Sequence, residues 1–142
     1  AQYPDVACDE QLVDAAAMRL ITSPERFDVL VTSNLFGDIL SDEAAALVGG
    51  LGLAASANVG ERAAIFEPVH GSVPDIAGQG VANPLAAILS FEMALRWSLG
   101  RPDDADRLFT AVEKALANGA RTPDLGGALS TAQMGDAVIA AL

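Results

Sequence analysis

The chain has 142 residues, of which 51% are apolar, enough for a domain with a real core and too many for a disordered or fibrous chain. Nineteen acids against eight bases give a formal charge of −11, a surface that repels nucleic acid and anionic membrane. No apolar run approaches the roughly 18 residues of a membrane span, and the opening "AQYPDVACDE" carries neither a basic region nor an apolar one, so no targeting signal is expected. Cys8 is the single cysteine, which excludes an intrachain disulfide and a thiolate metal site. It reads as a small half-buried residue, and the usage fits a reducing cytoplasm.

In chain order, "DVAC" is a short candidate strand, and "DEQLVDAAAMRLIT" follows with helical spacing of Leu12, Ala15, Ala16, Met18 and Leu20. "SPER" breaks that pattern. "FDVLVT", 27–32, is a continuous apolar, β-branched run, and the expectation is a strand buried on both faces. Asn34 is placed to cap a helix running to about Val48. Glycines cluster in "GGLGLAASANVG", 49–60, and "AAIFE" reads as the next strand. "PVHGSVPDIAGQGVANP", 68–84, has three prolines and three glycines; the expectation is a long ordered loop, a feature that compact domains usually keep for function.

Asn83 and Pro84 stand in cap and first-turn positions of a helix reaching Gly100, with Trp97 as a packing residue near its end. "PDDADRLFTAVEKALANG" predicts an amphipathic helix with Asp103 and Asp104 at its positive end and Gly119 as its stop. "TPDLGG" is a loop, and "STAQMGDAVIAAL" a last helix. Strand alternating with helix makes this an α/β fold. A change of character near Val48–Gly49 marks an expected domain boundary, 1–48 and 49–142.

Two places carry chemistry. Asp38 and Asp42 in "NLFGDILSD" are four residues apart, which puts both carboxylates on one helix face with Cβ atoms about 5–6 Å apart. Like charges so placed repel. A divalent cation such as Mg²⁺ or Mn²⁺, which takes hard oxygen ligands, would turn that repulsion into attraction. The other reading is a solvated pair favoured by the helix dipole. Asp14, within the apolar "LVDAAAM", needs a partner or an exit to water. In the 68–84 loop, the glycines let backbone N–H groups approach a ligand, and Asp75 could accept ribose hydroxyls; His70 taken alone reads as a turn residue ahead of a cofactor contact. Neither GxGxxG nor GxxxxGK[ST] occurs, and "GLGLAAS" is only a partial likeness.

Taken in order, "VTSNLFGDILSDEAA" and "FEPVHGSVPDIAGQGVANP" strongly resemble the β-decarboxylating dehydrogenases of the isocitrate/isopropylmalate dehydrogenase family. The likeness runs from "DEQLVDAAAM" to "TPDLGG" and covers nearly the whole chain, which looks like the C-terminal two-fifths of such an enzyme. It implies the C-terminal part of that family's two-domain α/β fold: 1–48 closing the dimerisation and metal-binding domain, 49–142 belonging to the nucleotide-binding domain. Asp38 and Asp42 would be metal ligands, with Asp14 completing the site from the other subunit of a homodimer.

His70, Gly71, Ser72, Val73, Pro74, Asp75, Ile76, Ala77 and Asn83 would form the NAD loop, with His70 and Gly71 by the adenosine, Asp75 on the ribose and Asn83 at adenine. Glu67 would lie on the nicotinamide side. The implied reaction is NAD- and Mg²⁺- or Mn²⁺-dependent oxidative decarboxylation of a 2-hydroxy dicarboxylate. The expected substrate is 3-isopropylmalate, giving 2-oxo-4-methylpentanoate in leucine biosynthesis; homoisocitrate and tartrate or D-malate are the alternatives. The family's base lysine, acid tyrosine and substrate arginines are expected upstream; Lys114 and Tyr3 match neither role, so this stretch alone is expected to be inactive. A reading from another class is a non-catalytic nucleotide-binding subunit, which would have no use for three retained carboxylates.

Overall fold

A computed structural model describes residues 3–142. They form two compact units, one ending at Leu47 and the other running Val48–Leu142.

In the first unit, helix α1 (Val13–Thr22) packs against helix α2 (Asn34–Leu47). Ala16 and Leu20 from α1, and Leu40 and Ala45 from α2, are buried. The apolar stripe read from the sequence thus forms, but α1 starts at Val13, later than the spacing of 9–22 allowed. Four expectations here are corrected. "DVAC" is not a strand, and Cys8 is exposed rather than half-buried. "FDVLVT" is not a strand either: Val29 and Val31 are 81% and 93% exposed. A β-branched run favours extended backbone, but a strand exists only where a second one completes its ladder. The one sheet among the described residues lies in the other unit. Asn34 opens α2 from inside, as its first residue, and its amide donates to Asp38 Oδ2 at 3.2 Å instead of capping.

The second unit begins with a tight turn at Leu51–Leu53, followed by the antiparallel hairpin of β1 (Ala55–Val59) and β2 (Ala64–Pro68), with Ala57 opposite Phe66. The Gly60 N–H donates to the Ala63 carbonyl at 3.0 Å and closes the hairpin end. The expected strand at "AAIFE" is β2; its partner β1 lies inside the stretch that the sequence marks only as glycine-rich. Helix α3 (Leu85–Trp97) lies on the hairpin and on the 51–53 turn, and packs against helix α4 (Pro102–Ala117), which packs in turn on helix α5 (Thr131–Ala141). Leu85, Ala111, Val112, Ala115, Met134 and Val138 make the core where these three helices meet. Trp97 packs against Phe66, ring centroids 6.5 Å apart, and remains half-exposed.

The helix ends follow their chemistry. Asp103 and Asp104 sit in the first turn of α4, where the dipole favours anions. Gly119 takes φ +88° just beyond that helix, and the Ala120 N–H turns back to the Ala115 carbonyl at 3.0 Å. Arg96 ties α3 to α4: it reaches Glu92 at 2.6 Å and Asp106 at 2.7 Å. Those hydrogen bonds, to Asp106 first and then Glu92, raise its pKa further above the ordinary guanidinium value. Ser130 and Gln133 form a reciprocal capping box on α5, at 3.2 and 2.9 Å. Ser130→Ala should therefore cost about 1 kcal/mol. Urea unfolding should show a lower midpoint with an unchanged slope.

Candidate functional site

The carboxylates of the first unit stand on open helix faces. Asp38 and Asp42 are both exposed on α2, one turn apart. Asp38 accepts the Asn34 amide, and neither carboxylate is in an ion pair among the described residues. Asp14 on α1 resolves its awkward position by exit to water, with Oδ1 accepting the neighbouring Ala15 N–H at 2.8 Å. Among the described residues, no three His, Cys, Asp or Glu side chains are grouped to hold a metal. The structure thus presents Asp38 and Asp42 together and does not bring Asp14 to them within one chain. As a donor set the pair fits a hard divalent cation: two oxygen ligands on one face, without a competing cation, and with other positions open to water, substrate or a further ligand.

The loop of the second unit is open in the middle and tied at its ends. At the entry the Val69 N–H donates to the Ala54 carbonyl at 3.0 Å, extending the hairpin pairing by one step. His70 Nδ1 lies 2.9 Å from the Gly71 carbonyl oxygen. A carbonyl can only accept, so this contact puts a proton on Nδ1 and, in the neutral ring, leaves Nε2 as an acceptor. A single 3₁₀ turn, Pro74–Ile76, carries Asp75. The Gln79 side-chain amide donates to the Asp75 backbone carbonyl at 2.8 Å, which braces the turn and leaves the Asp75 carboxylate exposed. Ser72, Val73, Pro74 and Ala77 line the same exposed arc, while Ile76 turns partly inward. Val73 holds φ +40°, ψ +65°. A β-branched residue in that left-handed region costs on the order of 1–3 kcal/mol, a strain typical of ligand-clasping segments. Nothing in the sequence signals it.

The exit from the loop is the firmest part. Thr131, at the start of α5, donates its N–H to the Gly80 carbonyl at 2.8 Å and its hydroxyl to the Ala82 carbonyl at 2.6 Å. Asn83 is buried; its Oδ1 accepts the Leu85 N–H at 3.0 Å, and its Nδ2 donates to Asp124 Oδ2 at 3.0 Å. The N-cap of α3 is Pro84 and the helix starts at Leu85, one residue later than expected, but the Asn83 side chain still satisfies the first helical N–H. Glu67 lies on the exposed face of β2, opposite Ser56. The sequence reading passed over Asp124, treating "TPDLGG" as a plain connection; a contact to a residue 41 positions away leaves no local pattern. The apolar groove of about 410 Å³ among α3, α4 and α5, lined by Ile88, Phe91, Leu108, Val138 and Ile139, takes in none of the candidate residues.

Comparison with known proteins gives this arrangement its class. A family model described as isocitrate/isopropylmalate dehydrogenase matches residues 1–138. The 3-isopropylmalate dehydrogenase of Caulobacter vibrioides is 62% identical across 99% of this chain, and the homoisocitrate dehydrogenase of Methanocaldococcus jannaschii is 56% identical across 97%. A crystal structure of isocitrate dehydrogenase from Methylococcus capsulatus superposes with a TM-score of 0.95 at 52% identity, over 99% of this chain and 42% of that one. A β-decarboxylating dehydrogenase from Thermococcus kodakarensis gives 0.81 at 43% identity, over 91% of this chain and 38% of that one. The fold is thus part of an isocitrate/isopropylmalate dehydrogenase-like fold. The chain belongs to the isocitrate/isopropylmalate dehydrogenase family. It spans about 41% of the length of the Caulobacter relative and 40% of the Methanocaldococcus one.

The tie at Asn83 should be measurable. Asn83→Ala removes the acceptor for the Leu85 N–H and the donor to Asp124, and should cost about 1–3 kcal/mol of stability. Urea unfolding checks the cost, and faster protease cleavage within 70–80 should accompany it.

Proposed function

We propose that this chain is the C-terminal portion of an NAD-dependent, Mg²⁺- or Mn²⁺-dependent dehydrogenase that oxidatively decarboxylates 3-isopropylmalate to 2-oxo-4-methylpentanoate in leucine biosynthesis. The supporting observation is an unpaired carboxylate pair on α2 and an open, end-tied loop on the second unit, in a chain 62% identical to a 3-isopropylmalate dehydrogenase. Homoisocitrate is the second substrate reading, favoured by 56% identity to a homoisocitrate dehydrogenase. The chain has no candidate residue for the side-chain sorting that would separate the two.

Asp38 and Asp42 would hold the cation, and Asp14 of a second subunit would complete its shell in a homodimer. When bound, the cation supplies Lewis acidity toward a substrate hydroxyl, and NAD supplies the hydride acceptor. The chain's own residues bind and orient. Asp75, exposed and without a cation partner among the described residues, accepts the ribose hydroxyl protons. His70 offers Nε2 toward the adenosine half, and Asn83 anchors the backbone at the adenine end. Glu67, exposed on β2, would lie on the nicotinamide side.

Proton transfer at the hydroxyl oxygen and at the product carbon needs a base and an acid, roles worth about 10²–10⁴-fold each. Lys114 on α4 and Tyr3 near the chain start match neither role in the family's motifs, so we assign both roles to residues outside this stretch. The anionic substrate likewise requires cations beyond a chain of charge −11.

In the full-length enzyme, Asp38→Asn should weaken Mn²⁺ binding by about 100-fold or more, since even outer-shell changes at metal sites cost 10–100-fold. Folding stability should move by no more than about 0.5 kcal/mol, as for other exposed positions. Mn²⁺ titration followed by calorimetry and by rate tests this, and an unchanged metal dependence overturns the assignment. Asp75 should favour NAD over NADP, because a carboxylate seated on the ribose repels a 2′-phosphate at a cost of several kcal/mol. The ratio of kcat/KM for the two cofactors should therefore exceed about 100, at 1.4 kcal/mol per tenfold. A preference for NADP would refute this reading of the loop.

A further inference from the structure

We propose that Asp124 is a positioning residue for the nucleotide: through the Asn83 amide it fixes the adenine end of the 68–84 loop. This rests on the reading of that loop as the NAD site. Asp124 sits in the 3₁₀ turn Pro123–Leu125, outside the loop and outside the three-helix core. Its two oxygens have separate duties. Oδ1 accepts the Thr122 hydroxyl at 2.6 Å, and Oδ2 accepts Asn83 Nδ2 at 3.0 Å. Thr122 is wholly buried, so the hydroxyl that aims the carboxylate is itself immobile.

A third segment closes on the same pair. A Cβ at Gly52 would lie 2.5 Å from Asp124 Oδ2 and 3.0 Å from the Asn83 side chain, so only glycine lets the 51–53 turn approach this closely. Asp124 forms no ion pair among the described residues; neutral donors hold its charge. The Asn83 amide is therefore gripped at both ends, by Asp124 and by the first N–H of α3. Neither the N–H nor the C=O of Asn83 joins a backbone hydrogen bond among the described residues. The Ala82–Asn83 peptide is held by Thr131 through the Ala82 carbonyl, whereas the Asn83–Pro84 peptide has no hydrogen bond of its own among the described residues and takes its orientation from the Asn83 side chain, and so from Asp124. Thr131 separately fixes Gly80 and Ala82, so losing Asp124 frees the Asn83 side chain and its peptide to Pro84 without freeing the rest of the loop.

The distinguishing feature is a split. A loop-end position acts on the adenine half of the cofactor, not on metal, substrate or the chemical step. In the full-length enzyme, Asp124→Ala should raise KM for NAD and the Kd of ADP-ribose by about 10-fold or more. The kcat at saturating NAD, the Kd for Mn²⁺ and the affinity for nicotinamide mononucleotide should stay within about 2-fold. Asp124→Asn keeps one oxygen for Asn83 and turns an N–H to Thr122 Oγ1, which can accept it; KM for NAD should stay within about 3-fold. Thr122→Val, nearly equal in volume, removes only the donor that aims the carboxylate, and should raise KM for NAD by about 3-fold with the same split.

Circular dichroism and thermal melting establish that each variant is folded; if Asp124→Ala is not, Thr122→Val decides. An unchanged KM for NAD in the folded Ala variant, or in Thr122→Val where the Ala variant fails to fold, overturns the proposal. So do parallel losses in NAD, metal and kcat, which mark general damage. If the wild-type enzyme binds no ADP-ribose at all, the reading of the loop as an NAD site fails, and the positioning role fails with it. Wild-type binding with an indifferent Asp124 removes only the positioning role.

Discussion

A single side-chain amide joins the structural and the functional parts of the second unit. Asn83 accepts the first free N–H of α3 and donates to Asp124, so the same group that starts the helix also ends the loop. A helix start leaves N–H groups without intrahelical partners, and a buried start must satisfy them from side chains. Leu85, the next buried residue, is wholly inside the core. The core therefore dictates where α3 begins, the start dictates where the Asn83 oxygen must be, and the planar amide then fixes the directions of its two N–H donors. Asp124 accepts one of those donors and is held there by Thr122. A loop that is mostly exposed thus acquires a fixed end through Asn83, which joins it to the start of α3.

The other end is set by the sheet. β2 runs to Pro68, and the Val69 N–H still reaches across to Ala54. Between these two anchors the chain must turn within about a dozen residues. It does so with a 3₁₀ turn, glycines at φ +77° and +67° (Gly78 and Gly80), and a valine forced into left-handed backbone. The glycines adopt such angles at little steric cost; the valine does not. Strain concentrated in the exposed arc, with firm hydrogen bonding at its two ends, is what a pre-formed ligand clasp requires. The arc need not be ordered by the ligand, so less binding energy is lost to ordering.

Most of the helices were legible because periodicity and caps act locally. The apolar spacing of α1 and the amphipathic pattern of α4 were there to read, as was Gly119 as a stop; the Ser130–Gln133 start of α5 was not read. The strands were less so. "ASANV" has neither β-branched alternation nor bulk, and becomes β1 only because β2 pairs with it. "FDVLVT" has every local mark of a strand and is none, since pairing is a property of two segments and the described residues supply one. The same distinction runs through the candidate site. Asp38 and Asp42 were visible as a helix-turn pair, and Asp75 as an acid in a glycine-rich loop. Asp124, Thr122 and Gly52 reach the site only by folding, from three stretches that carry no signature singly.

The excess of acids also takes on meaning from where the bases are. Arg96 is committed to Glu92 and Asp106, Arg101 and Arg107 both to Asp104, and Arg121 to the Leu116 and Ala120 carbonyls. These four guanidinium groups brace α3, α4 and the chain after α4. None is spent on Asp38, Asp42 or Asp75 among the described residues. An exposed ion pair adds little to stability, so withholding cations from those three acids forgoes little stability. What it preserves is acceptor capacity. A carboxylate already paired with arginine offers fewer lone pairs to an incoming cation or hydroxyl, and must first break a charge-assisted bond. The net charge of −11 is thus unevenly distributed in its consequences: neutralised where helices must be held together, and left open where a divalent cation and a ribose are proposed to bind.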